Sequence, residues 1–165
     1  MDPSLKPDPK LKGSYYRRIK DIDFAFKKME ADRLPTAARL LVLYFGCEKL
    51  AQGIVGIANS WPPDDVFGRG KSPDPRKIET AVMALKLTFL TSDIDHLFAK
   101  WNDTNKKPLR EPISARDLRD AVVHNFGPTN VGFVLSKAAL LLPKMEGFLS
   151  CRPQVLAHLK ATWPH

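Results

Sequence analysis

Apolar residues recur at helical spacing along most of this chain. One amphipathic stretch runs from Tyr15 to Met29, and a second, which is apolar over a wide face, runs from Pro35 to Ala58. The breadth of that face predicts that the second helix lies at the centre of the core. Residues 1–13 are rich in Pro, Lys and Asp, and we expect them to form a mobile N-terminal arm.

Prolines and capping residues predict the limits of the later helices. Pro and Gly are frequent from Asn59 to Pro73, so this stretch is expected to be a long loop. Asp74-Pro75 has the form of an N-cap followed by proline at the first helical position, and it predicts a helix that ends near Trp101. Further helices are predicted from Ala115 to about Phe126, from Thr129 to a kink or end at Pro143, and from Pro153 to Thr162.

Composition agrees with an all-helical architecture. The chain has 165 residues, of which 44% are hydrophobic, which is enough for one domain with a substantial core. It shows no internal repeat, no Gly-rich phosphate loop and no alternating apolar and polar run longer than a few residues. We therefore predict an all-α fold, a compact bundle of about five or six helices, in a single domain over residues 14–165.

The net charge of the chain bears on the charge of the partner that it would bind. The 26 Lys and Arg residues, against 18 Asp and Glu, give a net charge of +8. This excess favours a polyanionic partner such as RNA or DNA without choosing between them. The alternative is a soluble protein that is merely basic, because excess charge also promotes solubility.

The cysteines and the N-terminus bear on the compartment. Cys47 and Cys151 are far apart and form no C-x-x-C motif, so the sequence predicts neither a zinc cluster nor a disulfide framework. The N-terminus lacks an apolar core of signal-peptide length, and no stretch is expected to reach the roughly 18 apolar residues of a membrane span. We expect a cytoplasmic protein with no metal, no cofactor and no membrane partner.

The helix predicted from Ala115 to Phe126 carries a polar stripe. Arg116, Asp120 and His124 stand at positions i, i+4 and i+8, so they share one face. Arg119 lies about 60° around from that line, close enough for its long guanidinium to reach the space of the imidazole. Arg119 and His124 can therefore converge on one phosphate group.

Such a pair suits RNA cleavage by the 2′-hydroxyl without a metal ion. Histidine moves protons near neutral pH, and arginine supplies a permanent cation for the charge that develops on the phosphate. Asp120, one turn before His124, can accept a hydrogen bond from the imidazole and orient it. By spacing alone, the competing interpretation is an ordinary solvated helix face on which Asp120 pairs with Arg116.

The segment from Ser114 to Gly127, SARDLRDAVVHNFG, resembles the R-x4–6-H signature of the HEPN superfamily. Arg119, Asp120 and His124 match the arginine, the polar residue after it and the histidine of that signature. Domains of this family are compact helical bundles with the signature on a late helix, and the long second helix here resembles their early core helix. The resemblance implies a metal-independent endoribonuclease of toxin or defence type, working as a homodimer in which Arg119 and His124 of each protomer face one cleft.

The resemblance also implies how such a site acts and is regulated. The paired histidines would transfer protons and the arginines would hold the phosphate of an RNA substrate, leaving a cyclic phosphate. An antitoxin or another regulatory protein is then an expected partner. The chain departs from toxins that carry H-x-Y with a modified tyrosine, because it has His124-Asn125-Phe126 and Phe126 offers no hydroxyl.

Three further residues are candidate substrate contacts, namely Arg116, Asn125 and Glu48. Glu48, on the second helix, can reach the cleft and position Arg119 or His124, and the alternative is a structural glutamate that is partly exposed or paired. Asp93 and His96 offer only two metal ligands, so no metal site is predicted. Basic residues suited to contacts with a phosphate backbone are Arg69, Lys71, Arg76, Lys77, Lys106, Lys107 and Arg110.

Two other functions stay open from the sequence. The first is a catalytically inactive HEPN-like module that binds RNA, a nucleotide or a partner protein. The second is a DNA-associated helical protein that reads a groove with the helix from Ala115 to Phe126. That arrangement would place Asp117 and Asp120 against phosphates, which disfavours it.

Overall fold

All regular structure in the described residues is helical. The structure, a computed structural model, describes residues 9–67, 73–103, 109–125 and 128–162. Its helices are α1 (Pro9–Lys28), α2 (Thr36–Ala58), α3 (Pro63–Phe67), α4 (Pro75–Ala84), α5 (Ile94–Phe98), α6 (Ala115–Asn125), α7 (Pro128–Leu149) and α8 (Arg152–Thr162). The all-α prediction is confirmed. The helices outnumber the expected five or six because α3 and α5 are separate helices of 5 residues each.

The α2 helix forms the centre of the fold. Every residue from Leu50 to Ile57 is buried, and Leu40, Leu43, Tyr44 and Cys47 are buried in its first half. A helix that is apolar nearly all round must be covered on several sides. Accordingly, α1, α3, α4, α6 and α7 all pack against α2. The central position predicted for this helix is confirmed.

By length and composition, α2 is able to cross a membrane, contrary to the sequence-based expectation. Its 23 residues include an 18-residue window with a mean hydropathy of 1.5. Among the described residues it is the only helix with these properties. Inside the fold, however, 72% of that window is buried, as in the core helix of a soluble protein.

Three helices end on a residue in the left-handed backbone region that is not glycine: Glu30 (φ 47°), Ser60 (φ 54°) and Lys86 (φ 52°). After α4, the backbone N–H of Leu87 donates to the carbonyl of Val82 at 3.0 Å, which is the long bond of a Schellman motif. The single helix predicted from Pro75 to near Trp101 is therefore wrong. The sequence gives little warning of this end, because glycine usually occupies the position held by Lys86.

The N-terminal part of the chain is more helical than predicted. The α1 helix begins at Pro9, so residues 9–13 belong to it rather than to the expected arm, and residues 1–8 lie outside the described residues. The stretch from Asn59 to Pro73 is not wholly a loop, since it contains α3. Asp64 and Asp65 lie in the first turn of α3, where the helix dipole favours negative charge.

The α7 helix continues through Pro143 to Leu149 instead of ending at the proline. A proline inside a helix removes the hydrogen bond to the carbonyl four residues earlier, which here belongs to Ala139. Both Pro143 and Ala139 are exposed, so water can solvate that carbonyl. The last predicted helix is confirmed as α8, with a start one residue earlier, at Arg152.

A buried tyrosine joins α1 to the end of α2. Tyr15 is 0% exposed, and its hydroxyl donates a hydrogen bond to the carbonyl of Trp61 at 2.6 Å. Burial raises the pKa of Tyr15 above its usual value, so the hydroxyl stays protonated and acts as a donor. Gly56 makes the close approach possible, because a Cβ at that position would lie 2.2 Å from the tyrosine hydroxyl.

Substitution of Gly56 by alanine should destabilise the fold. The added methyl group would force Tyr15 away from Trp61, and we expect a loss of about 1–3 kcal/mol in the free energy of unfolding. Gly132, within α7, is the matched control, because nothing lies within 4 Å of a Cβ there. Gly132→Ala should stabilise by up to about 1 kcal/mol through helix propensity. Urea unfolding measures both, and equal effects would contradict the packing argument.

Candidate active site on α6

The first turn of α6 is capped by its own side chains. The backbone N–H of Asp117 donates to Ser114 Oγ at 3.0 Å, and the backbone N–H of Ser114 donates to the Asp117 carboxylate at 3.3 Å. This is the reciprocal capping box that the sequence predicts, with Asp in place of the usual Glu. It starts the helix at Ala115 and so sets the direction of every later side chain on α6.

The Asp117 carboxylate also ties α6 to the segment that follows α5. It is fully buried and accepts hydrogen bonds from the backbone N–H groups of Trp101 and Asn102, each at 3.2 Å. The side-chain amide of Asn102 donates to it as well, at 3.2 Å. A buried carboxylate is tolerated only when it is satisfied in this way. Sequence reasoning assigned Asp117 to capping alone and missed this second role.

Arg119 is held against α2 by three neighbours. Its guanidinium carbon lies 5.0 Å from the centre of the Tyr44 ring, in a cation–π contact. One terminal nitrogen lies 3.0 Å from Asp120 Oδ1 and the other lies 3.5 Å from Glu48 Oε1. The Arg119 side chain is only 26% exposed. Glu48 therefore lies next to Arg119, one of the two residues that the sequence suggested it could position.

Asp120 forms an ion pair with Arg119 and, within the described residues, no hydrogen bond or ion pair with His124 or Arg116. Its side chain is 13% exposed, and its carboxylate forms the ion pair with Arg119. Arg116 instead directs a terminal nitrogen to the carbonyl of Phe98, at 3.5 Å. The polar stripe predicted along α6 therefore divides: Arg116 faces α5, whereas Asp120 faces the Arg119 ion pair.

His124 lies on the exposed last turn of α6. No hydrogen bond or ion pair joins its imidazole to another residue in the part of the chain that the structure describes. The neighbouring Val123 is 56% exposed. Asn125 ends the helix, but its side chain, like Phe126, lies outside the described part of the chain.

The arrangement combines a fixed cation with an accessible imidazole. Arg119 faces two carboxylates, so its charge is more than balanced within the single chain. A phosphate group at this position would have to share the guanidinium with Glu48 and Asp120. The imidazole of His124 is exposed, so a ligand can reach it. Within the described ranges, no cluster of three or more His, Cys, Asp or Glu residues is suited to a metal ion.

Comparison with known proteins gives no relative for this chain. No family model, curated protein or solved structure matches it. The fold class is all-α, with a buried central helix and an ion-paired arginine five positions before an exposed histidine. The resemblance of the segment from Ser114 to Gly127 to the HEPN signature stays a prediction from that motif.

Removal of the Asp117 carboxylate should destabilise the region that carries Arg119 and His124. Asp117→Ala leaves the buried N–H of Ser114 and the partly buried N–H groups of Trp101 and Asn102 without an acceptor, and we expect a loss of about 3 kcal/mol in the free energy of unfolding. Asp95, in the first turn of α5, is exposed and provides the control. Asp95→Ala should change stability by less than about 0.5 kcal/mol. Similar denaturation midpoints for the two variants would refute the structural role of Asp117.

Proposed function

We propose that this protein is a metal-independent endoribonuclease of the HEPN type, of toxin or defence function, that acts in the cytoplasm as a homodimer. The observation that carries the proposal is that one capped helix holds both a partly buried arginine and an exposed histidine. Arg119 has a fixed position, and His124 is accessible. The motif resemblance and the net charge of +8 support an RNA substrate.

The chemistry needs a base, an acid and a cation. His124 of one protomer would take the proton from the 2′-hydroxyl as the 2′-oxygen forms a bond to phosphorus. The bond from phosphorus to the 5′-oxygen breaks, and the imidazolium of His124 in the second protomer would protonate that oxygen. The products are a 2′,3′-cyclic phosphate and a 5′-hydroxyl. Arg119 would stabilise the additional charge on the phosphate oxygens.

A dimer would use the last turn of α6. Val123 and His124 are both exposed there, so a second protomer would pack on this turn. A composite site also supplies the two proton-transfer groups that the reaction needs, since one chain offers only His124 on α6. An antitoxin or other regulatory protein that covered this face would block both dimerisation and access of RNA.

The test is cleavage of RNA in the presence of EDTA. His124→Ala should lower the cleavage rate by about 100-fold or more, because it removes the proton-transfer group. Arg119→Ala would leave Glu48 and Asp120 without their cation and so lower the melting temperature. Arg119→Lys keeps the charge but loses the planar fork, so it should lower cleavage with a smaller effect on stability.

A histidine on another helix provides the matched control for this experiment. His158 lies on α8, which packs against α1 rather than α6. His158→Gln should therefore leave cleavage unchanged. The cyclic phosphate product is measured directly by mass spectrometry of the cleaved RNA. Cleavage at the normal rate by both His124→Ala and Arg119→Lys would exclude α6 as the catalytic element.

A second function is favoured by one specific feature, the double ion pair of Arg119. Because Glu48 and Asp120 occupy both terminal nitrogens, Arg119 can be a structural residue that fixes α6 on α2. The protein would then be an inactive HEPN-like module that binds RNA, a nucleotide or a partner protein. In that case, substitution of Arg119 lowers the stability of the fold. When samples with equal amounts of folded protein are compared, the affinity for the ligand is unchanged.

Binding and turnover can be separated on the same RNA. The ribonuclease predicts cleavage with EDTA present, whereas the binding module predicts salt-sensitive RNA binding with intact RNA recovered afterwards. Filter binding across a series of salt concentrations, followed by gel analysis of the RNA, measures both properties. Equal affinity for single-stranded RNA and duplex DNA would instead point to the DNA-associated alternative.

A further inference from the structure

A cleft of about 280 Å³ lies between the C-terminal end of α2 and the exposed side of α4. Its walls contain an indole ring, two basic side chains and small residues that leave the space open. The lining residues that matter here are Trp61, Arg76, Lys77 and Thr80. We name this space the Trp61 cleft. It lies away from α6, and none of its lining residues belongs to the candidate active site.

Two hydrogen bonds fix the backbone of Trp61 at this cleft. The backbone N–H of Trp61 donates to the carbonyl of Gly56 at 2.9 Å, and its backbone carbonyl accepts the hydrogen bond from buried Tyr15. The residue is nevertheless 41% exposed. Lys77 places its ammonium group 5.9 Å from the centre of the indole ring. The cleft therefore offers an accessible aromatic ring, carried by an anchored backbone, with a cation beside it.

No carboxylate in the described part of the chain neutralises the cations of the Trp61 cleft. Arg76 and Lys77 are exposed, and neither forms an ion pair with a carboxylate of another described residue. Two acids are near in sequence. Asp74 caps α4 by accepting a hydrogen bond from the backbone N–H of Arg76 at 2.9 Å, and Glu79 is exposed and forms no ion pair with either cation among the described residues. Uncompensated cations beside an aromatic ring are the two elements with which proteins bind single-stranded nucleic acid.

We infer that the Trp61 cleft binds one unstacked nucleotide of a single-stranded RNA, with its base on the indole and the flanking phosphates at Arg76 and Lys77. The volume lies just below the roughly 300–1,000 Å³ of common small-ligand pockets, which suits one nucleotide. A duplex keeps its bases stacked and cannot place one on Trp61. The choice of RNA over DNA rests on the proposed function, whereas the stacking and phosphate contacts do not.

The Trp61 cleft and the α6 site both lie along α2, which allows their separation to be estimated. Arg119 packs on Tyr44 in the first half of α2, and Ala58 at the end of α2 lines the cleft. In a regular helix these two positions are about 21 Å apart along the axis and about 40° apart around it. One extended strand of several nucleotides can therefore contact both sites, so the cleft would hold RNA at a distance from the cleaved bond.

The test measures binding of a short fluorescent 2′-O-methyl oligoadenylate, which lacks the attacking hydroxyl and so reports affinity independently of cleavage. Trp61→Ala should weaken binding about 10-fold, the size expected for loss of one stacked base. Trp61→Phe keeps an aromatic ring and should retain most of the affinity. The plot of log affinity against log salt concentration has a negative slope. Arg76→Gln and Lys77→Gln should each make that slope shallower by about 0.7, because each removes one phosphate contact.

The matched control is a second aromatic–cation pair on another helix. Phe24 on α1 is 62% exposed, and Lys28 lies 5.7 Å from its ring centre. Phe24→Ala and Lys28→Gln should leave binding unchanged. Equal affinity of Trp61→Ala and Phe24→Ala, at matched folded fraction, would overturn the assignment, as would equally tight binding of duplex RNA or of free AMP. If the unsubstituted protein does not cleave RNA but Trp61→Ala still weakens binding, only the proposed ribonuclease is contradicted.

Discussion

The burial of α2 is the constraint on which the rest of the structure depends. Eight consecutive residues in its C-terminal half, from Leu50 to Ile57, are buried, and five other helices pack around it. Hydrophobic burial supplies most of the driving force for such an arrangement. The consequence is that polar positions on α2 are few. Arg39 and Glu48 each meet a partner on another helix, Glu146 and Arg119, and this is how the central helix positions the functional surface.

Glu48 shows how a polar residue on the buried helix acts. Its side chain is 15% exposed, and it lies 3.5 Å from Arg119 on α6. At such separations, opposite charges near a protein surface attract by about 4 kcal/mol, which offsets part of their desolvation. Tyr44, one helical turn earlier on α2, supports the flat face of the same guanidinium. One turn of the core helix therefore fixes both the position and the orientation of Arg119.

Local signals predicted the elements that local interactions determine. The sequence indicates α2 through its apolar face and the start of α6 through Ser114 and Asp117, because those residues complete their contacts within a few positions of the chain. It did not indicate the end of α4, where Lys86 adopts a left-handed conformation usually taken by glycine. The Schellman bonds and the burial of Leu85 and Leu87 stabilise that turn, and neither is a property of Lys86 itself.

The candidate site was predictable only in part for the same reason. Spacing on α6 places Arg119, Asp120 and His124 on one helix, which the structure confirms, but the partner of Asp120 depends on what α2 presents opposite. Sequence reasoning paired Asp120 with His124 or Arg116, since both lie one turn away along the helix. The contact with Arg119 follows from the placement of that guanidinium between Glu48 and Tyr44, which are far away in sequence.

The charge balance at the two surfaces separates affinity from chemistry in the proposed enzyme. Arg119 is already paired with two carboxylates, so it has little attraction left for a phosphate in its ground state. Arg76 and Lys77 form no ion pair with any other described residue, so their charges can attract the phosphates of RNA. Catalysis needs interactions that strengthen only as the transition state forms. A compensated arginine meets that requirement if the additional charge on the phosphate draws the guanidinium away from Glu48, while binding at the Trp61 cleft keeps the substrate in place.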